Sequence, residues 1–112
     1  MDKSRRSQLK REALSFKPRM GVVRFLCKET GERFLVAAPN VEARVNRVRL
    51  QVETGTMRNK RFEELWRRCG EEGFEVSVAE ELEYADGVED YTDELDILLQ
   101  VCLERDGGAQ RL

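Results

Sequence analysis

The sequence contains no histidine. A Ser-His or Cys-His nucleophilic pair is therefore excluded, because each needs an imidazole as its general base. Every metal site with imidazole ligands is excluded for the same reason. Both exclusions hold before any motif is considered.

Cysteine is scarce and isolated. Cys27, Cys69 and Cys102 are separate residues within apolar patterns, and no Cys-x-x-Cys pair is present. An odd number of cysteines in such positions indicates buried reduced thiols rather than disulfides or a metal site. We therefore expect a cytoplasmic protein with no metal ion.

Long apolar runs are also missing. No stretch approaches the ~20 apolar residues that span a bilayer. Residues 1–11 are polar and basic without an apolar stretch behind them, unlike a secretory signal, so no membrane partner is expected. The chain has 112 residues, of which 40% are hydrophobic and 38% charged, which predicts one small domain with a modest core.

The charges are divided unevenly along the chain. Residues 1–69 contain 18 Lys and Arg and 8 Asp and Glu, a net charge of +10. Residues 70–112 contain 2 Lys and Arg and 14 Asp and Glu, a net charge of −12. A basic first half favours contact with a polyanion such as DNA. The alternative is that the two halves neutralise each other across the folded surface.

Hydrophobic periodicity predicts the secondary structure. Side chains that alternate between two faces indicate a strand at residues 21–27. A run that is apolar on both faces after Arg33 indicates a second strand at residues 32–38, with Gly31 in the turn between them. Valines at spacings of four, three and four residues from Val41 to Val52 predict a helix with one apolar face. The remaining predicted elements are a helix from Asn59 to Gly70, a strand from Phe74 to Val78 and a last helix from Thr92 to Asp106.

These elements predict an α/β (α+β) fold in the order β-β-α-α-β-α. We expect a small three-stranded antiparallel sheet flanked by helices. Residues 1–19 are predicted to form a basic arm or helix that Pro18 ends, and residues 20–106 form the domain. Gly107 and Gly108 end the last helix, so residues 107–112 are predicted to be a flexible tail.

Three short motifs follow one another through this domain. Residues 21–23 read Gly-Val-Val, and residues 31–36 read Gly-Glu-Arg-Phe-Leu-Val. Residues 58–60 read Arg-Asn-Lys, and Phe62, Leu65, Trp66, Gly70 and Phe74 follow them. In order and spacing the three motifs resemble the GIY-YIG nuclease superfamily, which includes phage-type homing endonucleases and the incision subunit of bacterial nucleotide-excision repair. The resemblance covers about residues 21–104.

The resemblance implies a set of catalytic positions, most of which are replaced here. The family uses two hairpin tyrosines, whose positions fall on Val23 and Phe34. An arginine of the following helix falls on Arg44, and a histidine four residues later falls on Val48. The glutamate that holds a divalent cation falls on Leu99. Arg44 alone keeps the functional group of the family.

The replacements predict a closed core rather than a catalytic cleft. Each lost polar residue is a hydrophobe here, which removes buried polar groups that would need partners. Arg44 can bind a phosphate, but an arginine cannot act as a general base. The pattern favours a role without catalysis and without a cofactor. Glu94 and Asp96 are alternatives to Leu99 at the position of the glutamate.

The sequence therefore favours an inactive GIY-YIG-like domain that binds nucleic acid through its basic half. The residues predicted to contact nucleic acid are Arg24, Arg33, Arg44, Arg47, Arg49, Arg58, Lys60 and Arg61. A first alternative is a protein-interaction module, including a homodimer, that uses the acidic C-terminal half. A second is a Mg²⁺- or Mn²⁺-dependent endonuclease with a relocated site, in which Arg44 acts with Glu80, Glu81 or Asp96.

Overall fold

The computed structural model of the protein describes residues 17–112, so most of the predicted N-terminal arm, residues 1–19, lies outside the described residues. The predicted order of strands and helices is confirmed, and one further strand follows them. The elements are β1 (Met20–Cys27), β2 (Arg33–Ala38), α1 (Val41–Thr54), α2 (Lys60–Cys69), a 3-10 turn (Glu71–Gly73), β3 (Phe74–Leu82), α3 (Thr92–Arg105) and β4 (Ala109–Arg111).

The sheet has four strands in the order β3-β1-β2-β4. β1 is antiparallel to both of its neighbours, so that Phe25 lies opposite Phe34 on β2 and opposite Val76 on β3. β4 is parallel to β2. The prediction of a three-stranded, wholly antiparallel sheet is wrong in this respect, because residues 109–111 of the expected tail form the fourth strand.

Two contacts explain why these last residues are ordered as a strand. The Arg33 guanidinium donates to both carboxylate oxygens of Asp106 at 2.6 Å, which holds the end of α3 against β2. The Leu112 amide donates to the Leu35 carbonyl oxygen at 2.9 Å and extends the pairing. The sheet edge beside β2 is thereby covered by the end of the chain.

Helices cover both faces of the sheet. On one face α1 and α2 enclose a core that includes an aromatic cluster of Phe25, Phe34, Phe62, Trp66 and Phe74. On the other face α3 packs through Leu99 and Cys102 against Val22 and Leu35. None of the helices within residues 17–112 has the length and apolar character that crossing a bilayer requires.

Asparagine side chains fix where the first two helices begin. The Asn40 side chain accepts a hydrogen bond from the Ala43 amide, and the Asn59 side chain accepts one from the Phe62 amide. Both are N-caps, which satisfy amides that the helix itself leaves unpaired. Because Asn40 follows β2 after a single proline, α1 starts at a defined point and Arg44 lies in its first turns.

Candidate nucleic-acid interface

The apolar positions implied by the resemblance lie in the core. Val23, Phe34 and Val48 belong to the cluster beneath α1 and α2 and are at most 1% exposed. The Phe34 ring meets the Phe62 ring edge-on, with centroids 5.2 Å apart. Leu99 is on α3 and packs against the opposite face of the sheet. The structure therefore brings three of these positions together and separates Leu99 from them.

Arg44 lies at the edge of this core and is partly buried. Burial lowers the pKa of its guanidinium, and the positive charge of Arg47 lowers it further. Within residues 17–112 no carboxylate forms an ion pair with Arg44. A partly desolvated cation without a counter-ion is stabilised by an incoming anion, because the anion replaces lost hydration.

Arg44 lines a cavity with Arg47 and Arg58, which we call the arginine cavity. Its volume is about 710 Å³, and no acidic residue is among those that line it. Arg44 and Arg47 are three residues apart on α1 and so share a helix face. Arg58 comes from the loop between α1 and α2, next to the buried Met57. The other residues that line the cavity are Val36, Val48, Leu50, Gln51, Thr54, Thr56, Met57 and Leu112.

The other basic residues predicted to contact nucleic acid do not join this cavity. Four of them pair with carboxylates, namely Arg33 with Asp106, Arg49 with Glu71, Lys60 with Glu63, and Arg61 with Glu32. The paired arginines lower the pKa of the Asp106 and Glu32 carboxyls through hydrogen bonds to the charged form. Arg24 lies on the α3 face of the sheet, where it donates to the Ser77 hydroxyl at 3.4 Å.

A second cavity, which we call the tyrosine cavity, lies on another side of Arg44. Its volume is about 720 Å³. It is lined by Arg44 and by Tyr84 and Tyr91, the only tyrosines in the sequence. The acidic residues on its wall are Glu89, Asp90 and Asp96. The two tyrosines were not among the site residues predicted from the sequence. Two aromatic residues within eight residues of each other in an acidic loop could have indicated a binding site.

The carboxylates predicted for a relocated metal site are dispersed. Asp96 lines the tyrosine cavity with Arg44, whereas Glu80 accepts a hydrogen bond from Arg105 at 3.3 Å. Glu81 belongs to β3, opposite Gly21. No group of three or more Cys, Asp or Glu side chains that could hold a metal ion is found within residues 17–112. The divalent cation that the resemblance implies does not fit these residues.

Comparison with known proteins identifies the fold. No family model matches the chain, and no curated protein matches it. The catalytic domain of the homing endonuclease I-TevI is similar in structure, with a TM-score of 0.66, 14% sequence identity, and coverage of 83% of this chain and 97% of that domain. A single-residue variant of the same domain gives a TM-score of 0.61 at 17% identity, covering 80% of this chain and 81% of the variant. The protein therefore has the GIY-YIG-like fold that its three sequence motifs predicted.

Proposed function

We propose that the protein binds the phosphate backbone of nucleic acid through Arg44, Arg47 and Arg58, and does not cleave it. The observation that supports the proposal is the arginine cavity. Three arginines line one cavity that has no acidic lining residue, whereas Arg33, Arg49, Lys60 and Arg61 are ion-paired. The arginine cavity is therefore the part of the described surface best suited to bind an anion.

Guanidinium chemistry favours a phosphate as that anion. The planar guanidinium presents paired N–H donors that match two phosphate oxygens, and such charge-assisted bonds are about twice as strong as neutral ones. Arg44 is partly desolvated, so its attraction to a phosphate is screened less than that of an exposed arginine. Similarity in fold to the catalytic domain of a homing endonuclease supports DNA as the source of the phosphate.

The core supports the absence of cleavage. A hydrolytic site needs a base beside the phosphate, and Val23, Phe34 and Val48 offer none. These side chains are at most 1% exposed and carry no group that could activate a water molecule. Arg44 stays protonated and cannot replace the base. The proposed activity is therefore binding alone.

Fluorescence anisotropy with a labelled short DNA duplex tests the binding. At ~50 mM salt, each of Arg44→Gln, Arg47→Gln and Arg58→Gln is expected to weaken the affinity by about 1.5 kcal/mol, or roughly tenfold. Arg61→Gln is the matched control, since Arg61 already pairs with Glu32, and we expect a change of about twofold or less. The same duplex is expected to stay intact after incubation with Mg²⁺ or Mn²⁺.

Two results would contradict the proposal. One is the absence of any duplex binding at ~50 mM salt, where phosphate contacts are strong. The other is an equal loss of affinity in Arg61→Gln and in the three arginine-cavity variants. Cleavage of the duplex that Arg44→Gln abolishes would refute the non-catalytic part while leaving the phosphate contact in place.

A further inference from the structure

We propose that the tyrosine cavity receives one unpaired base of the nucleic acid whose backbone lies on the arginine cavity. The inference rests on the proposed function. It assigns a role to a cavity that phosphate binding alone leaves unexplained. The ligand is a single unpaired nucleotide whose base carries an amino group, such as cytosine or adenine.

Arg44 connects the two cavities. It is the one residue that lines both the arginine cavity and the tyrosine cavity. A phosphate held by Arg44 therefore has its own nucleoside at the entrance of the tyrosine cavity. The volume of about 720 Å³ lies within the range of ligand pockets, about 300–1,000 Å³.

The two tyrosine rings are held in place by their hydroxyls. Tyr84 donates to the Pro18 carbonyl oxygen at 2.7 Å. Tyr91 donates to the Ala85 carbonyl oxygen at 3.1 Å and accepts from the Ala85 amide at 2.8 Å. The rings meet at 77° with centroids 5.5 Å apart, and Tyr84 remains 37% exposed. Tyr91 is half-buried, so the exposed ring of Tyr84, which has Lys17 Nζ 4.9 Å from its centroid, is the platform on which an unpaired base would stack.

Three carboxylates line the tyrosine cavity against two cations, Lys17 and Arg44, and this balance favours a base over a second phosphate. Asp90 is occupied, since it accepts from the Thr92 amide at 2.9 Å and from the Thr92 hydroxyl at 2.6 Å. Glu89 and Asp96 form no ion pair or hydrogen bond through their side chains within residues 17–112. An ionised carboxylate repels phosphate but accepts a hydrogen bond from the amino group of a base. The phosphate accordingly stays at Arg44 and the base lies beyond it.

Paired bases cannot reach these rings, because their faces are covered in the stack. An unpaired base avoids the unstacking and unpairing energy of a few kcal/mol that flipping a paired base requires. The tyrosine cavity therefore predicts that the protein binds a duplex with an unpaired nucleotide more tightly than a fully paired one.

Anisotropy with three labelled duplexes tests the inference on the full chain. One duplex is fully paired, one has a single unpaired cytosine, and one has an abasic site in place of that cytosine. The cytosine duplex is expected to bind about 5- to 150-fold more tightly than the abasic duplex, the range for stacking of one base on an aromatic side chain. The abasic duplex controls for the bend that an extra nucleotide introduces.

Variants of residues that line the tyrosine cavity test whether the preference for an unpaired base arises there. Tyr84→Ala is expected to reduce the preference for cytosine over the abasic site to about twofold or less. Tyr84→Phe keeps the ring but loses the hydrogen bond to the Pro18 carbonyl oxygen, so we expect it to keep more of the preference than Tyr84→Ala. Asp96→Ala is expected to narrow the preference for unpaired cytosine over unpaired thymine, because thymine has no amino group. Circular dichroism of each variant verifies that it is folded.

The outcomes separate this inference from the proposed function. Equal binding of the cytosine and abasic duplexes by the unmodified protein overturns the inference. If Arg44→Gln still weakens binding to the paired duplex in that case, phosphate binding stands alone. Failure to bind any of the three duplexes overturns both. An undiminished preference in a folded Tyr84→Ala variant also overturns the assignment to this cavity.

Discussion

Gly21 shows how one backbone contact fixes the start of the central strand. A β-carbon at this position would lie 2.1 Å from the Glu80 carbonyl oxygen, far inside van der Waals contact. The pairing of β1 with β3 shifts its register between Val22 and Val23, next to this approach. Gly21 also has a φ of 156°, which side chains disfavour. Glycine therefore lets β3 approach β1 closely.

Replacement of Gly21 is consequently expected to destabilise the fold. Gly21→Ala should lower the free energy of unfolding by about 1–3 kcal/mol, the usual cost of forcing atoms into a packed site. Gly107→Ala is the control, since a β-carbon there meets nothing within 4 Å, and its effect should stay within about 0.5 kcal/mol. Urea denaturation measures both, and equal stability of the two variants would refute the explanation.

The partners of individual charged residues could not be predicted from the sequence. Periodicity indicates which side chains are exposed, but Arg33 and its partner Asp106 are 73 residues apart. Arg61 and Glu32 are 29 residues apart and meet because α2 packs beside the hairpin turn. The sequence identified Arg44 from a motif, whereas its grouping with Arg47 and Arg58 depends on the tertiary structure.

At the scale of elements, the number of residues in a strand decides whether the sequence predicts it. β1, β2 and β3 contain eight, six and nine residues, enough for an alternating or continuous apolar pattern to be recognised. β4 contains three residues and shows no pattern. Its position depends on parallel pairing with β2 and on the Asn59 side-chain amide, which donates to the Arg111 carbonyl oxygen at 3.1 Å. From the sequence alone, a short strand whose partners are far away along the chain cannot be distinguished from a flexible tail.

A proline in β4 tests whether this strand stabilises the domain. Gln110 pairs with Phe34, and Gln110→Pro removes a backbone N–H and restricts φ. We expect the free energy of unfolding to fall by about 1–3 kcal/mol. Gln110→Ala keeps the backbone amide and should change stability by about 0.5 kcal/mol or less. Thermal or urea unfolding that cannot distinguish the proline variant from the original protein would indicate that β4 contributes nothing.

At the scale of the whole molecule, the unequal charge of the two halves is only partly neutralised by folding. Of the nine ion pairs within residues 17–112, two join the basic half to the acidic half, Arg33 with Asp106 and Arg49 with Glu71. No Asp or Glu side chain of either half lines the arginine cavity. Because the two halves neutralise each other only in part, the basic surface around α1 remains available to a polyanion.

The salt dependence of duplex binding tests phosphate contact by the arginine cavity most directly. Each phosphate neutralised contributes about −0.9 to the slope of log K against log salt concentration. The difference in slope between a variant and the original protein reports only the phosphate contacts of the replaced arginines, because every other basic residue, including those of residues 1–16, is present in both proteins. The variant with Arg44, Arg47 and Arg58 all replaced by glutamine is expected to have a slope shallower by about 2.7 than that of the original protein. Identical slopes would contradict the account.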